Sequence, residues 1–120
     1  MMEAYGADPT DLNNMKKVWR FLHDLPDLID MKRLTTPYVI DADATASGHD
    51  PGGITGVAII AESHVSIHTF ADRGFFTMDV YSCSNFDDKI DIIKKFAQER
   101  FPHSTQEINI VKRGTQYPVM

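Results

Sequence analysis

Two consecutive strand patterns, Ile54 to Ala61 and Ser63 to Phe70, constrain this chain more than any other feature. The first is almost continuously apolar, as expected of a strand at the centre of a sheet. The turn signal Asp72-Arg73-Gly74 then leads into a third strand, Phe75 to Ser82, which predicts a hairpin. Alternation in that strand puts Phe75, Thr77, Asp79 and Tyr81 on one face and Phe76, Met78, Val80 and Ser82 on the other. The middle segment is unusual. Directly after Glu62 it places Ser63, His64, Ser66 and His68 in an extended stretch, where buried hydroxyls and imidazoles need partners. That cluster marks the candidate functional centre.

The flanking segments supply helices. Asp8-Pro9-Thr10 is a start signal with Thr10 as N-cap, and Leu12, Met15, Val18, Trp19 and Leu22 recur at helical spacing. Met15 and Trp19 are therefore expected in the core, and Pro26 is expected to end or kink the helix. Tyr38-Val39-Ile40 reads as a short strand, and Asp41 to Gly53 reads as a polar loop that feeds the central strand. A second helix opens near Ser84–Asp88, carries Ile90, Ile93, Phe96 and Ala97 on its face with Ile92 at the margin, and closes at Pro102. A last strand, Glu107 to Lys112, has Ile108 and Ile110 on one side. The fold class is thus α+β: a two-layer sandwich, one domain over residues 1–120, with helices on one face of a mostly antiparallel sheet. One helical layer leaves the other sheet face bare, so a dimer through that face is predicted.

Composition narrows the function. A net charge of -5 lacks the electrostatic footprint of a nucleic-acid binder and suits a cationic ligand. The single cysteine, Cys83, forms no internal disulfide, which fits a reducing compartment. No apolar run approaches a membrane span and the N-terminus carries no signal core, so the cytoplasm is the expected location.

The chemistry lies at Glu62-Ser63. A serine hydroxyl can attack the preceding carbonyl and convert the peptide bond into an ester. Elimination across the serine then breaks the chain and leaves dehydroalanine, which hydrolyses to a pyruvoyl group. The reaction needs an oxyanion stabiliser and a base. Thr55 and His68 are the candidates, and antiparallel pairing of their strands is expected to bring both to Ser63. A competing reading takes His64 and His68, with His49 or Asp43, as metal ligands.

Glu62-Ser63-His64-Val65-Ser66-Ile67-His68-Thr69, with Gly53-Ile54-Thr55-Gly56-Val57 before it and Asp79-Val80-Tyr81-Ser82-Cys83 after it, resembles the prokaryotic S-adenosylmethionine decarboxylase family. Tyr5-Gly6-Ala7-Asp8 resembles that family's Tyr-Gly-Cys-Asp opening, although the strand that usually precedes it is mostly missing. The resemblance implies self-cleavage at Glu62-Ser63 into a β chain, 1–62, and an α chain, 63–120, with Ser63 becoming the pyruvoyl cofactor. It assigns His68 and Thr55 to processing, and Cys83 to processing and to reprotonation of the decarboxylated substrate. It further implies decarboxylation through a Schiff base, no metal, and a homodimer of processed αβ units.

The departures from the family fall around nucleoside recognition. Thr69-Phe70-Ala71-Asp72 replaces Thr-Trp-Pro-Glu, so Asp72 stands where a glutamate holds the ribose hydroxyls. His49 stands where phenylalanine stacks on adenine, and the loop from Asp41 to Asp50 is longer and more acidic than usual. His49, Asp50, Phe70 and Asp72 are therefore the candidate substrate-binding residues. On this pattern L-ornithine or L-arginine, whose distal cations suit such carboxylates, is placed ahead of S-adenosylmethionine as substrate. The remaining alternatives are S-adenosylmethionine itself, giving the aminopropyl donor of spermidine synthesis, or an inactive regulatory relative.

Overall fold

The computed structural model describes residues 1–43, 52–82, 87–113 and 116. Its strands are β1 (Met2–Tyr5), β2 (Tyr38–Asp43), β3 (Gly52–Ile60), β4 (Ser63–Phe70), β5 (Phe75–Tyr81) and β6 (Thr105–Ile108). They form one sheet in the order β2-β3-β4-β5-β1-β6, and every neighbouring pair is antiparallel. The helices are α1 (Pro9–Leu12), α2 (Met15–Leu28) and α3 (Ile90–Arg100).

The alternation read from the sequence decides which face is covered. Ile54, Ala58 and Ile60 of β3, Val65 and Ile67 of β4, Phe76 and Met78 of β5, and Met2 and Ala4 of β1 are all buried. They form one core with Val18, Phe21, Leu22 and Leu25 of α2 and Ile93, Phe96 and Ala97 of α3. Phe21 anchors it, with ring centroids 5.0 Å from Phe96 and 5.5 Å from Phe101. Gly56 lets α2 press onto β3, because a Cβ there would lie 2.5 Å from Leu22 Cδ1. The opposite face carries Tyr38, Ile40, Ile59 and His68, all exposed.

Several expectations are corrected. Asp8, not Thr10, caps the first helix: its carboxylate accepts from Thr10 N at 2.8 Å. The helical segment is split, and Asn14 caps α2 by accepting from Lys17 N. The buried stripe of α2 is Val18, Phe21, Leu22 and Leu25, which leaves Met15 and Trp19 at 41% and 37% exposure outside the core. Pro26 does not end α2 at its own position, since the helix runs on to Leu28. Asp41–Asp43 and Gly52–Gly53 are strand rather than loop, held by the β2/β3 pairing. The final strand comes earlier than expected, at Thr105–Ile108, and Ile110 is 55% exposed. The N-terminal strand does form: Met2–Tyr5 is inserted between β5 and β6.

Helices α2 and α3 are tied by Arg100, which donates to the Asp24 carboxylate at 2.8 Å, while His23 Nδ1 lies 2.9 Å from the same group. Burial pushes the Asp24 carboxyl up, but the hydrogen bonds to His23 and Arg100 outweigh it and hold the group below its ordinary value. A depressed folded-state pKa stabilises the fold above the unfolded value, about 3.9 for aspartate, and that contribution is lost as pH falls through the folded value. Arg100→Met should therefore flatten the pH dependence of unfolding free energy below about pH 4, measured by urea titration across the acid range.

Candidate active site

Strands β3 and β4 are joined by a two-residue turn, Ala61-Glu62, with Ile60 paired to Ser63 across it. Glu62 takes a left-handed backbone, φ 59°. For a non-glycine residue that conformation costs about 1–2 kcal/mol, and it falls on the residue that supplies the carbonyl for Ser63. Such strain persists only where the neighbours over-determine it.

The register puts Thr55 directly opposite His68. A 3.0 Å hydrogen bond joins Thr55 Oγ1 and His68 Nδ1 on the bare face of the sheet. When Nδ1–H donates to Thr55, the lone pair of Nε2 faces outward, the form in which the imidazole acts as a base. A buried bond next to this pair fixes the strands: Ile54 N donates to Thr69 Oγ1 at 2.9 Å, and Thr69 is 2% exposed. The backbones are also closely apposed there, since a Cβ on Gly53 would fall 1.8 Å from the Thr69 carbonyl oxygen.

The expectation that Thr55 and His68 both reach Ser63 does not hold within one copy. Five residues of strand separate Ser63 from His68, roughly 16 Å at the usual rise. An odd interval also puts the two side chains on opposite faces of the pleat. The sheet thus has two chemically distinct ends. One carries Glu62 and Ser63. The other carries Thr55, His68, Phe70 and, on the following turn, Asp72. Asp72 is exposed and borders a shallow depression of about 630 Å³ with Pro9, Thr10, Asn13 and Met15. His49, Asp50 and Cys83 lie outside the described residues. The pair nearest to Cys83 in sequence, His64 opposite Tyr81, is at the Ser63 end. Its rings stack at 5.3 Å, a contact that accounts for His64 without ligation. Among the described residues no cluster of three metal-ligating side chains occurs.

Sequence reasoning missed an aromatic row at the His68 end. Phe75 pairs with both Tyr5 and Phe70 in register, and its ring stacks at 5.0 Å on Tyr5 and 5.3 Å on Phe70. The Tyr5 hydroxyl donates to Glu3 at 2.8 Å. That bond, with burial and the nearby Glu107 charge, pushes the phenol above its ordinary pKa. The signal was available only once the strand at Met2–Tyr5 was recognised, because its pairing with β5 is what aligns the rings.

A sequence profile of the S-adenosylmethionine decarboxylase family matches residues 1–114. The S-adenosylmethionine decarboxylase proenzyme of Pyrococcus abyssi (strain GE5 / Orsay) is 35% identical over 116 residues, covering 97% of this chain and 77% of that protein. The proenzyme of Methanococcus aeolicus is 30% identical over 118 residues, covering 96% and 91%. Among solved structures, the adenosylmethionine decarboxylase from Aquifex aeolicus VF5 has the same fold, with a TM-score of 0.69 at 20% identity over 93% of this chain and 89% of that one.

The Thr69 bond sets the strand registration beside His68. Thr69→Val leaves the buried Ile54 N–H unpaired and should cost about 1–3 kcal/mol in urea unfolding, whereas Thr69→Ser should stay within about 1 kcal/mol of the parent.

Proposed function

The chain belongs to the S-adenosylmethionine decarboxylase family, and on that premise we propose that it cuts itself between Glu62 and Ser63 and then releases carbon dioxide from S-adenosylmethionine. It is a pyruvoyl-dependent carboxy-lyase, since proenzymes of this family form a pyruvoyl group from an internal serine by self-cleavage. Ser63 fits that origin, following a residue held at φ 59° in a tight turn. The pyruvoyl group supplies a carbonyl that withdraws the electron pair left when the carboxylate departs. The chain's own residues do the rest. Ser63 Oγ attacks the Glu62 carbonyl, His68 removes the serine α-proton, and Thr55 orients the imidazole or stabilises the oxyanion. Cys83 returns a proton to the substrate carbon.

The substrate reading rests on the aromatic row Tyr5-Phe75-Phe70. Flat apolar faces at the His68 end suit a nucleobase, and neither ornithine nor arginine carries a ring for them. The expectation of a basic amino acid finds no comparable support. The relatives quoted above are all named for S-adenosylmethionine, and the net charge of -5 suits its sulfonium equally well. Carbon dioxide release should be measured from S-adenosylmethionine, L-ornithine and L-arginine in parallel. Turnover of S-adenosylmethionine is expected, and release from either amino acid alone overturns the reading.

Separation of Ser63 from the Thr55–His68 pair supports a second inference, that each active site is shared by two copies. An antiparallel pairing of two bare sheet faces places the Ser63 end of one over the His68 end of the other, and Ser63, which alternates to the helix side of β4, must come round the strand's end from its turn to meet the base there. It also removes exposed Tyr38, Ile40 and Ile59 from water. The homodimer is then a condition of catalysis. Co-expression of Ser63→Ala with His68→Ala should yield cleaved α chain and about half of parental activity per mixed dimer, because one of its two sites is rebuilt intact. Neither variant alone should regain activity, and a mixed dimer that also stays uncleaved would defeat the shared site.

A further inference from the structure

One segment holds the carbonyl side of the proposed scissile bond. Strand β2 pairs with β3 only as far as Val57. Beyond that point residues 32–34 run beside the same edge of β3. Leu34 N–H donates to Ile59 O at 2.9 Å, and Ala61 N–H donates to Lys32 O at 2.9 Å. Arg33 is bridged to Ile60 between those two bonds.

This strap is itself anchored. The Arg33 guanidinium reaches back to α2, donating to the His23 carbonyl and to the Asp27 carboxylate. Its approach is set by Asp30 at φ 57°, whose carboxylate accepts from Lys89 at 2.9 Å. The strap ends its hold at Ala61, the residue before Glu62. Ser63 is held from the other side by its pairing with Ile60. Glu62 therefore takes its left-handed conformation between two fixed neighbours.

We propose that the strap of residues 32–34, anchored by Arg33, is a positioning element for self-cleavage: it fixes Ala61 so that the Glu62 carbonyl is presented to Ser63 Oγ. The inference rests on the self-cleavage reading above. In the step it serves, the Oγ–C bond forms, the C–N bond of Glu62-Ser63 breaks, and the hydroxyl proton passes to the freed Ser63 nitrogen. No co-reactant enters, and Arg33 contributes no atom. Its effect is geometric, and small misplacements of reacting atoms are enough to slow a step by tenfold or more.

The test follows conversion of the freshly made full chain into two fragments by intact mass, with and without hydroxylamine, which cleaves the ester but not the amide. Arg33→Met is expected to slow both spontaneous and hydroxylamine-induced cleavage by about tenfold or more. Arg33→Lys keeps the charge and one of the two anchoring contacts, so it should recover part of the rate. Ile93→Val in α3 calibrates how far a loss of melting temperature alone slows cleavage. The proposal is overturned if Arg33→Met cleaves at the parental rate, or if it slows no more than Ile93→Val does for an equal loss of melting temperature. It is also overturned if hydroxylamine restores cleavage of Arg33→Met to the parental rate, since the fault would then lie after the ester. If Arg33→Met does not fold, parental rates for Arg33→Lys overturn it. A parental chain that never splits ends the self-cleavage reading and the strap's role together. A parental chain that splits alongside an unaffected Arg33→Met removes the strap alone.

Discussion

The β3/β4 hairpin is the constraint on which the rest of the structure depends. Its two-residue turn fixes the pairing of Ile60 with Ser63, and the register then runs without choice to Thr55 opposite His68. A slip by one residue would turn Val65 and Ile67 away from α2 and put His64, Ser66 and His68 into the apolar layer. Burial of Val65, Ile67, Ala58 and Ile60 at 0% exposure therefore specifies the Thr55–His68 register as a by-product of packing. The Thr69 hydroxyl closes the far end by satisfying Ile54 N–H where the close approach at Gly53 ends the regular ladder.

How far the fold was legible follows from the length of each pattern. Strands β4 and β5 show sustained alternation with a glycine turn at Gly74 between them, β3 is a continuous apolar run, and all three lie within about two residues of where the sequence puts them. The N-terminal strand was not legible, because four residues carry too little periodicity and its stability comes from two neighbours distant in sequence. The helical error has a similar cause. Met15 and Trp19 fit the spacing, but with His23 they lie on the i, i+4 row that flanks the buried stripe of Val18, Phe21, Leu22 and Leu25, so the helix turns them toward solvent. Trp19 stacks on His23 at 4.8 Å, an amphipathic ring finding a polar partner at the surface.

The candidate residues were named from the sequence, and their geometry was not legible there. The motif and its family resemblance singled out Thr55, Ser63 and His68, and pairing joins two of them. Period-two alternation alone forbids the third: an interval of five in a strand separates faces as well as ends. The same parity argument explains His64, which lies on the bare face with His68 yet is engaged by Tyr81. The aromatic row changes the weight of the departures near Phe70 and Asp72. Phenylalanine for tryptophan at Phe70 removes ring area, but the ring is embedded in a stack with Phe75 and Tyr5, so the apolar surface persists.

A hairpin cannot bring its own two ends together. The proposed reaction needs a nucleophile at one end of β4 and a base at the other, so no repacking within one copy supplies both. The proposed dimer answers the separation along the strand, because antiparallel stacking about a two-fold axis exchanges the ends of one sheet for those of its partner. The bare face with exposed Tyr38, Ile40 and Ile59 is then no unfinished layer. In the proposed dimer it is the surface on which chemistry and association become one requirement, since a monomer would hold each half of the proposed machinery about a strand's length from the other half. On the same proposal the strap at residues 32–34, hydrogen-bonded to Ile59 and Ala61, serves the end that must be ready before the partner arrives, from within the copy that is cut. In this arrangement the nucleophile and its carbonyl are prepared in cis, and the base is supplied in trans.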